Sequence, residues 1–176
     1  MQGVKAVIKE STMNKELFSL DDKVAMVTGC NTGLGQAMAI ALAEAGCDIV
    51  GVNHNDAGET PEMIAQAGRK FYAITADLSQ HDALSSVVEQ AVTLAGKIDV
   101  LVNNAGIIRR ADAIEFSEQD WDDVMDINLK SVFFLSQLVA REFEKQQTGG
   151  KIINIASMLS FQGGFACLLT PHQKVA

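Results

Sequence analysis

Glycine spacing carries the first chemical signal in this chain. Thr28-Gly29-Cys30-Asn31-Thr32-Gly33-Leu34-Gly35 joins an apolar run to an amphipathic one. A loop in that place must turn sharply and can let a pyrophosphate approach its backbone. Gly29 and Gly33 lack a Cβ and so accept positive φ or close contact, while Gly35 lets the following helix pack on the preceding strand. The helix N-terminus adds free N–H groups and the positive end of its dipole. A bare structural turn would use glycine too, so context decides. Ala45-Gly46-Cys47 and a second apolar run follow, which is the strand–helix–strand setting that dinucleotide binding requires.

Such a loop needs a sheet behind it. Strand-like apolar runs at Val24–Thr28, Asp48–Val52, Phe71–Thr75, Val100–Asn103 and Lys151–Ile155 alternate with amphipathic segments at Leu34–Ala45, Pro61–Ala67, Asp82–Ala95 and Glu118–Lys145. Strands as apolar as Asp48–Val52 and Val100–Asn103 are expected to be covered on both faces, because right-handed crossovers place helices on either side of a parallel sheet. The expected fold class is therefore α/β: a doubly wound, Rossmann-like parallel sheet of about five strands, incomplete on its C-terminal side. Ser79 with Asp82 and Ser117 with Asp120 have capping-box spacing and set two helix starts. Trp121 is expected in the core. The chain shows no repeats or Pro/Gly/Ser linkers, so one domain is expected over residues 18–164. Residues 1–17 read as a flexible arm, with Met13 as an alternative start, and residues 165–176 as an aberrant tail.

Composition narrows the partners. The chain has 176 residues, 48% of them hydrophobic, enough for one sizeable core. A formal charge of −8 with scattered basic residues lacks the electrostatic footprint of a nucleic-acid or anionic-membrane binder, which leaves small molecules as the expected partners. No apolar run approaches the roughly 20 residues needed to cross a bilayer, and Met1 to Thr12 lacks a signal peptide's apolar stretch; a cytoplasmic location is the expectation. Cys30, Cys47 and Cys167 are odd in number and lack metal-ligand spacing, so they are expected as small buried hydrophobes, with no disulfide framework and no metal site.

The pattern Thr-Gly-x-x-x-Gly-x-Gly resembles the short-chain dehydrogenase/reductase family, and further matches follow in order from about Phe18 to Gly164. Asp77-Leu78 resembles the family's adenine-contacting position, Asn103-Asn104-Ala105-Gly106 its motif after the fourth strand, Asn128 its catalytic asparagine and Ser157 its catalytic serine. Taken singly, Asn104 also suits capping the sheet, Asn128 satisfying a mid-helix carbonyl, and Ser157 an ordinary strand-end hydroxyl. Five features in the right order carry the resemblance. It implies a nicotinamide cofactor held by Gly29, Asn31, Thr32, Gly33, Leu34, Gly35, Asn53, Asp77, Leu78, Asn104, Ala105 and Gly106.

Cofactor choice turns on the end of the second strand. Family members preferring NAD commonly have an acid there, and NADP needs a cation for its 2′-phosphate. This chain has Asn53, which binds hydroxyls without repelling phosphate. No Lys or Arg occurs at Cys30–Thr32 or Asn53–Asn55, so NAD is the expected cofactor, with NADP left open. A solvent-facing Asn53 and His54 is the plainer alternative.

The blocks running from Asn103 to Arg110, Phe116 to Met125 and Ile155 to Gly164 resemble one subgroup, which acts on deoxy sugar acids of the 2-deoxy-D-gluconate or 2-dehydro-3-deoxy-D-gluconate type. The resemblance implies oxidation of a secondary alcohol or reduction of the matching ketone. Arg109, of the Arg109-Arg110 pair, is the candidate for the sugar acid's carboxylate, although a solvated loop or subunit contact would use the same residues.

In this family a tyrosine exchanges the alcohol proton, a nearby lysine helps it ionise, serine holds the carbonyl oxygen and asparagine anchors a water chain. The matching window here is Thr170-Pro171-His172-Gln173-Lys174, with Thr170 at the tyrosine's position and Lys174 at the lysine's. An aliphatic hydroxyl is too short and ionises far less readily than a phenol. Reading Phe165 to Lys174 one base out of register allows Ile-Arg-Val-Pro-Ser-Tyr-Thr-Ala-Ser-Lys. The expectation is therefore a frameshift near the Gly164 codon, with loss of later strands, much of the substrate pocket and the homo-oligomer contacts expected of a full-length relative. The alternative expectation is a non-catalytic fragment that at most binds nucleotide.

Overall fold

A computed structural model describes residues 17–157. The expected arm and tail, including Thr170, His172, Lys174 and Cys167, lie outside the described residues except at residue 17.

Five parallel strands form one sheet in the order β3-β2-β1-β4-β5: β1 Val24–Thr28, β2 Asp48–Asn53, β3 Phe71–Thr75, β4 Val100–Asn103 and β5 Lys151–Asn154. Side chains alternate across it, so neighbours in sequence join different cores. Val24, Met26, Val50, Val52 and Leu101 face one layer, and Ala25, Val27, Ile49, Val100 and Val102 face the other. The first layer is closed by α3 (Leu84–Ala95) and α5 (Ser131–Gln146), through Leu84, Val87, Ala91, Leu135, Val139 and Phe143. The second is closed by α1 (Gly33–Glu44) and α2 (Thr60–Gln66), through Ala39, Ala43 and Ile64. Met26, Ile49, Ile64 and Leu101 are fully buried, each contributing about 1.5–3 kcal/mol of transfer free energy. Cys30 and Cys47 are buried thiols. Burial, reinforced by the charge of Asp99, pushes the Cys47 thiol up to about 11.

The remaining elements differ from the sequence pattern in instructive ways. The long amphipathic segment after β4 divides into α4 (Glu118–Met125), a π turn (Asp126–Lys130) and α5. Ser131 Oγ donates to the Ile127 carbonyl at 2.6 Å, giving a partner to one carbonyl of the widened turn. A π turn keeps apolar residues near helical spacing, so periodicity does not reveal it. Ser117 does cap α4, accepting from the Asp120 amide at 3.1 Å. Its hydroxyl then donates to the Asp120 carboxylate, so the bond partners differ from a full capping box. Ser79 caps nothing: its amide and hydroxyl both donate to Asp77 Oδ1, and a short 3-10 turn at His81–Ala83 precedes α3. Trp121 lies on the outer side of α4 and is 48% exposed, not in the core.

Candidate functional site

β1 and β4 are neighbours, yet the chain leaves β1 toward β2 on one side and reaches β4 on the other. At such a switch point the loops leaving the strands' carboxyl ends diverge and open a crevice. A groove of about 770 Å³ occupies this place, bordered by the loop after β1, the ends of β2 and β3, and the segment after β4.

The loop after β1 is built for close approach. Gly29 has φ of +65° and Gly33 of +58°, conformations that cost a residue with a side chain about 1–2 kcal/mol. A Cβ on Gly35 would overlap the Gly29 carbonyl oxygen and crowd the Asn104 amide, so only glycine lets α1 start so near the strand. Thr32, at the N-cap of α1, makes no side-chain cap bond, and the first turn has no acidic residue. No side chain among the described residues therefore caps the first turn at Gly33–Gly35, an end at which free amides and the helix dipole favour an anion.

Asn104 ties the two sides of the switch point together. Its Nδ2 donates to the carbonyls of Thr28 and Gly29, each at 3.0 Å. Thr28 Oγ1 in turn accepts from the amides of Asn104 and Ala105, each at 3.0 Å. The sequence motif begins at Thr28 but gave that residue no role in the site. The signal was present in its position, since a buried threonine ending a strand needs partners for its hydroxyl.

At the far end of the groove stand His54, Asn55, Asp77 and Leu78. The Ser79 hydroxyl, then its amide, hold the Asp77 carboxyl below its ordinary value, with the charge of His54 as a smaller aid; His54 Nε2 lies 4.0 Å from Asp77 Oδ2. Asn53 sits elsewhere than a solvent-facing residue would: its side chain is buried beneath the glycine loop and its Nδ2 contacts Cys30 Sγ at 3.6 Å. Its Oδ1 is buried without a protein partner among the described residues, and Asn53 does not border the groove, unlike the cofactor-contacting residue expected at the end of the second strand.

Among the candidates, Gly29, Asn31, Thr32, Gly33, Leu34, Gly35, Asp77, Leu78, Asn104, Ala105, Gly106 and Arg109 surround the one groove. Arg109 is already engaged, its Nε at 3.1 Å from Asp120 and its Nη2 at 3.1 Å from Asp123. Asn128, on the π turn, borders a neighbouring cavity of about 600 Å³ with Asn103, Phe134, Ser136 and Asn154. Ser157 is half-buried, three residues beyond β5.

Among the described residues, no group of three or more His, Cys, Asp or Glu side chains could hold a metal ion, and no helix is long and apolar enough to cross a membrane. Residues 23–168 match the family profile for short chain dehydrogenase. The chain is 65% identical over 147 residues to a 2-dehydro-3-deoxy-D-gluconate 5-dehydrogenase of Dickeya dadantii (strain 3937), and 62% identical to the protein of that name in Escherichia coli (strain K12); each alignment covers 84% of this chain. The chain spans 58% of the length of these relatives. Among solved structures it is similar to a proposed 2-deoxy-D-gluconate 3-dehydrogenase from Agrobacterium tumefaciens with bound NADP, at 46% identity and a TM-score of 0.75, covering 89% of this chain and 61% of that one. A short-chain type dehydrogenase/reductase from Mycobacterium marinum is similar at 33% identity and a TM-score of 0.81, over 85% and 61% of the two chains.

Proposed function

The chain belongs to the short-chain dehydrogenase family, and from that premise we propose that it is the dinucleotide-binding part of an oxidoreductase acting on a deoxy sugar acid. The reaction is hydride transfer between a nicotinamide and a secondary alcohol or its ketone, of the 2-deoxy-D-gluconate or 2-dehydro-3-deoxy-D-gluconate type. The observation that carries the dinucleotide-binding part of this reading is the uncapped start of α1 in a groove at the switch point, following a glycine loop that Asn104 ties to the segment after β4.

The residues fit a nicotinamide dinucleotide. Gly29 and Gly33 take the positive φ that the loop requires, and Gly35, where a Cβ would strike the Gly29 carbonyl, lets α1 start against the strand beside the groove. In this reading the amides of Gly33 to Gly35 hold the pyrophosphate, His54 and Asn55 border the ribose, and Asp77 and Leu78 border the adenine, while Asn53, buried under the loop, supports it from behind. Ala105 and Gly106 border the nicotinamide end. When bound, the nicotinamide supplies or accepts the hydride. Asn128 holds the segment after β4 through Ile107, and Ser157 holds the substrate oxygen.

NAD is the cofactor favoured within this proposal. Among the described residues, no Lys or Arg stands with His54, Asn55 and Asp77 at the far end of the groove to pair with a 2′-phosphate, Asp77 adds a carboxylate there, and Arg109 is engaged by Asp120 and Asp123. The same pairing weakens the candidacy of Arg109 for the substrate carboxylate, since a sugar acid would have to displace two carboxylates.

Thr170 at the tyrosine's position favours a second reading for this chain as written: it binds the dinucleotide without turnover. Mixing the purified chain with NAD and each sugar acid, and following nucleotide absorbance, separates the two. Steady NADH formation supports the enzyme, and saturable binding without it supports the second reading.

A further inference from the structure

Thr60 is fully buried at the start of α2, thirty residues beyond Cys30 in sequence, and its hydroxyl donates to the Cys30 carbonyl at 2.8 Å. Gln36 of α1 completes the link, its Nε2 lying 3.0 Å from Thr60 Oγ1 and 3.4 Å from the Asn31 carbonyl. Two consecutive carbonyls of the glycine-rich loop are thus bonded to protein side chains, Cys30 to Thr60 of α2 and Asn31 to Gln36 of α1, which is itself bonded to Thr60. The Cys30 side chain is pulled inward as well, buried beneath Gly51, where a Cβ would press on its sulfur. The turn at Gly58 closes the contact: a Cβ there would lie 3.3 Å from the Asn31 carbonyl.

We propose that Thr60 is a positioning residue for phosphate binding: with Gln36 it clasps the glycine-rich loop to α2, so that the loop's carbonyls face the protein and its amides face the groove. This rests on the dinucleotide-binding reading above and adds to it the residue that presets the loop. A carbonyl aimed into the groove would repel a pyrophosphate, so holding Cys30 and Asn31 back favours the anion without any contact to it. The clasp also joins the groove's two ends. His54 and Asn55 border the ribose end, and six residues after His54 the same segment delivers Thr60 to the phosphate end.

The test compares Thr60→Val, which keeps the shape and deletes the hydroxyl, with Thr60→Ser, which keeps the hydroxyl. NADH, ADP and adenosine are titrated against the full chain of each, and thermal unfolding is recorded alongside. Thr60→Val should weaken NADH and ADP by about tenfold, the effect of leaving a buried carbonyl unpaired and free to swing, while adenosine binding stays within about twofold. Thr60→Ser should restore most of the phosphate-dependent affinity. Equal loss of ADP and adenosine, or unchanged ADP binding by Thr60→Val, overturns the clasp. If Thr60→Val is too unstable to titrate, Gln36→Leu, at a part-exposed position, must show the same phosphate-selective loss or the proposal fails. A folded parent chain that binds none of the three overturns the dinucleotide reading itself, and a parent that binds all three with no phosphate-selective loss in the variants overturns the clasp alone.

Discussion

Asn128 pairs with the backbone of Ile107 as one strand pairs with its neighbour: Oδ1 accepts from the Ile107 amide at 2.9 Å, and Nδ2 donates to the Ile107 carbonyl at 2.8 Å. The asparagine is buried on the π turn, so the segment after β4 is fastened to the α4–α5 junction by one side chain. Asn128→Asp keeps the size and the acceptor but, once ionised, has no proton for the Ile107 carbonyl. The expected cost is about 1–3 kcal/mol, which lowers the melting temperature by several degrees in a domain of this size. An unchanged melting curve at neutral pH would show that the pairing contributes nothing.

Gly33 and Gly35 should respond differently to alanine. At Gly33 nothing lies within 4 Å of an added Cβ, so only the positive φ opposes it; about 1–2 kcal/mol leaves a folded chain with weakened NADH binding. At Gly35 the methyl overlaps the Gly29 carbonyl and displaces the loop. Gly35→Ala should therefore lose detectable NADH binding, and comparable affinities for the two variants would show that α1 need not approach the strand.

Asp77 is expected to discriminate between the two nicotinamide cofactors. Like any aspartate it is ionised at neutral pH, and it borders the far end of the groove, where its charge opposes a 2′-phosphate. NADH should bind about tenfold more tightly than NADPH, a difference of about 1.4 kcal/mol, and Asp77→Asn should narrow the gap. Tighter binding of NADPH by the parent chain would reverse the cofactor assignment.

Acid should weaken the fold through Asp99. Burial acts to raise its carboxyl, but the Val24 amide at 2.9 Å and the ammonium groups of Lys97 and Lys23 prevail and lower it. A carboxylate depressed on folding contributes stability above its unfolded value of about 4, and that contribution disappears as pH falls through the folded value. Asp99→Asn should remove this part of the acid limb while costing about 1–2 kcal/mol at neutral pH. An acid limb of unchanged slope in the variant would assign the effect to other groups.

The strands were legible to within one residue at either end, because buried parallel strands are dense apolar runs bounded by turns. The glycine loop was legible for a similar reason: its requirement is local, since each glycine answers to its own backbone. Ser79 was misjudged locally, since Asp77 two residues before it takes its amide and hydroxyl in a turn. What the sequence concealed otherwise lies in partners farther along the chain, as where Asp120 and Asp123 take the guanidinium of Arg109. Asn53 turns under the loop toward Cys30, and Thr60 reaches the carbonyl of that same residue. Apart from the Asp77–Ser79 turn, none of these pairings has a spacing that periodicity or a turn rule can read, since each is set by how separate segments meet in the fold.

The most direct test of the account is a fluorescence titration of NADH against the purified full chain, with Gly35→Ala as its paired control and circular dichroism to establish that both are folded. Saturable binding by the parent, lost in the variant, is the predicted result. A folded parent chain that shows no saturable binding, or a folded variant that binds as tightly as the parent, would contradict the assignment of the groove to a dinucleotide.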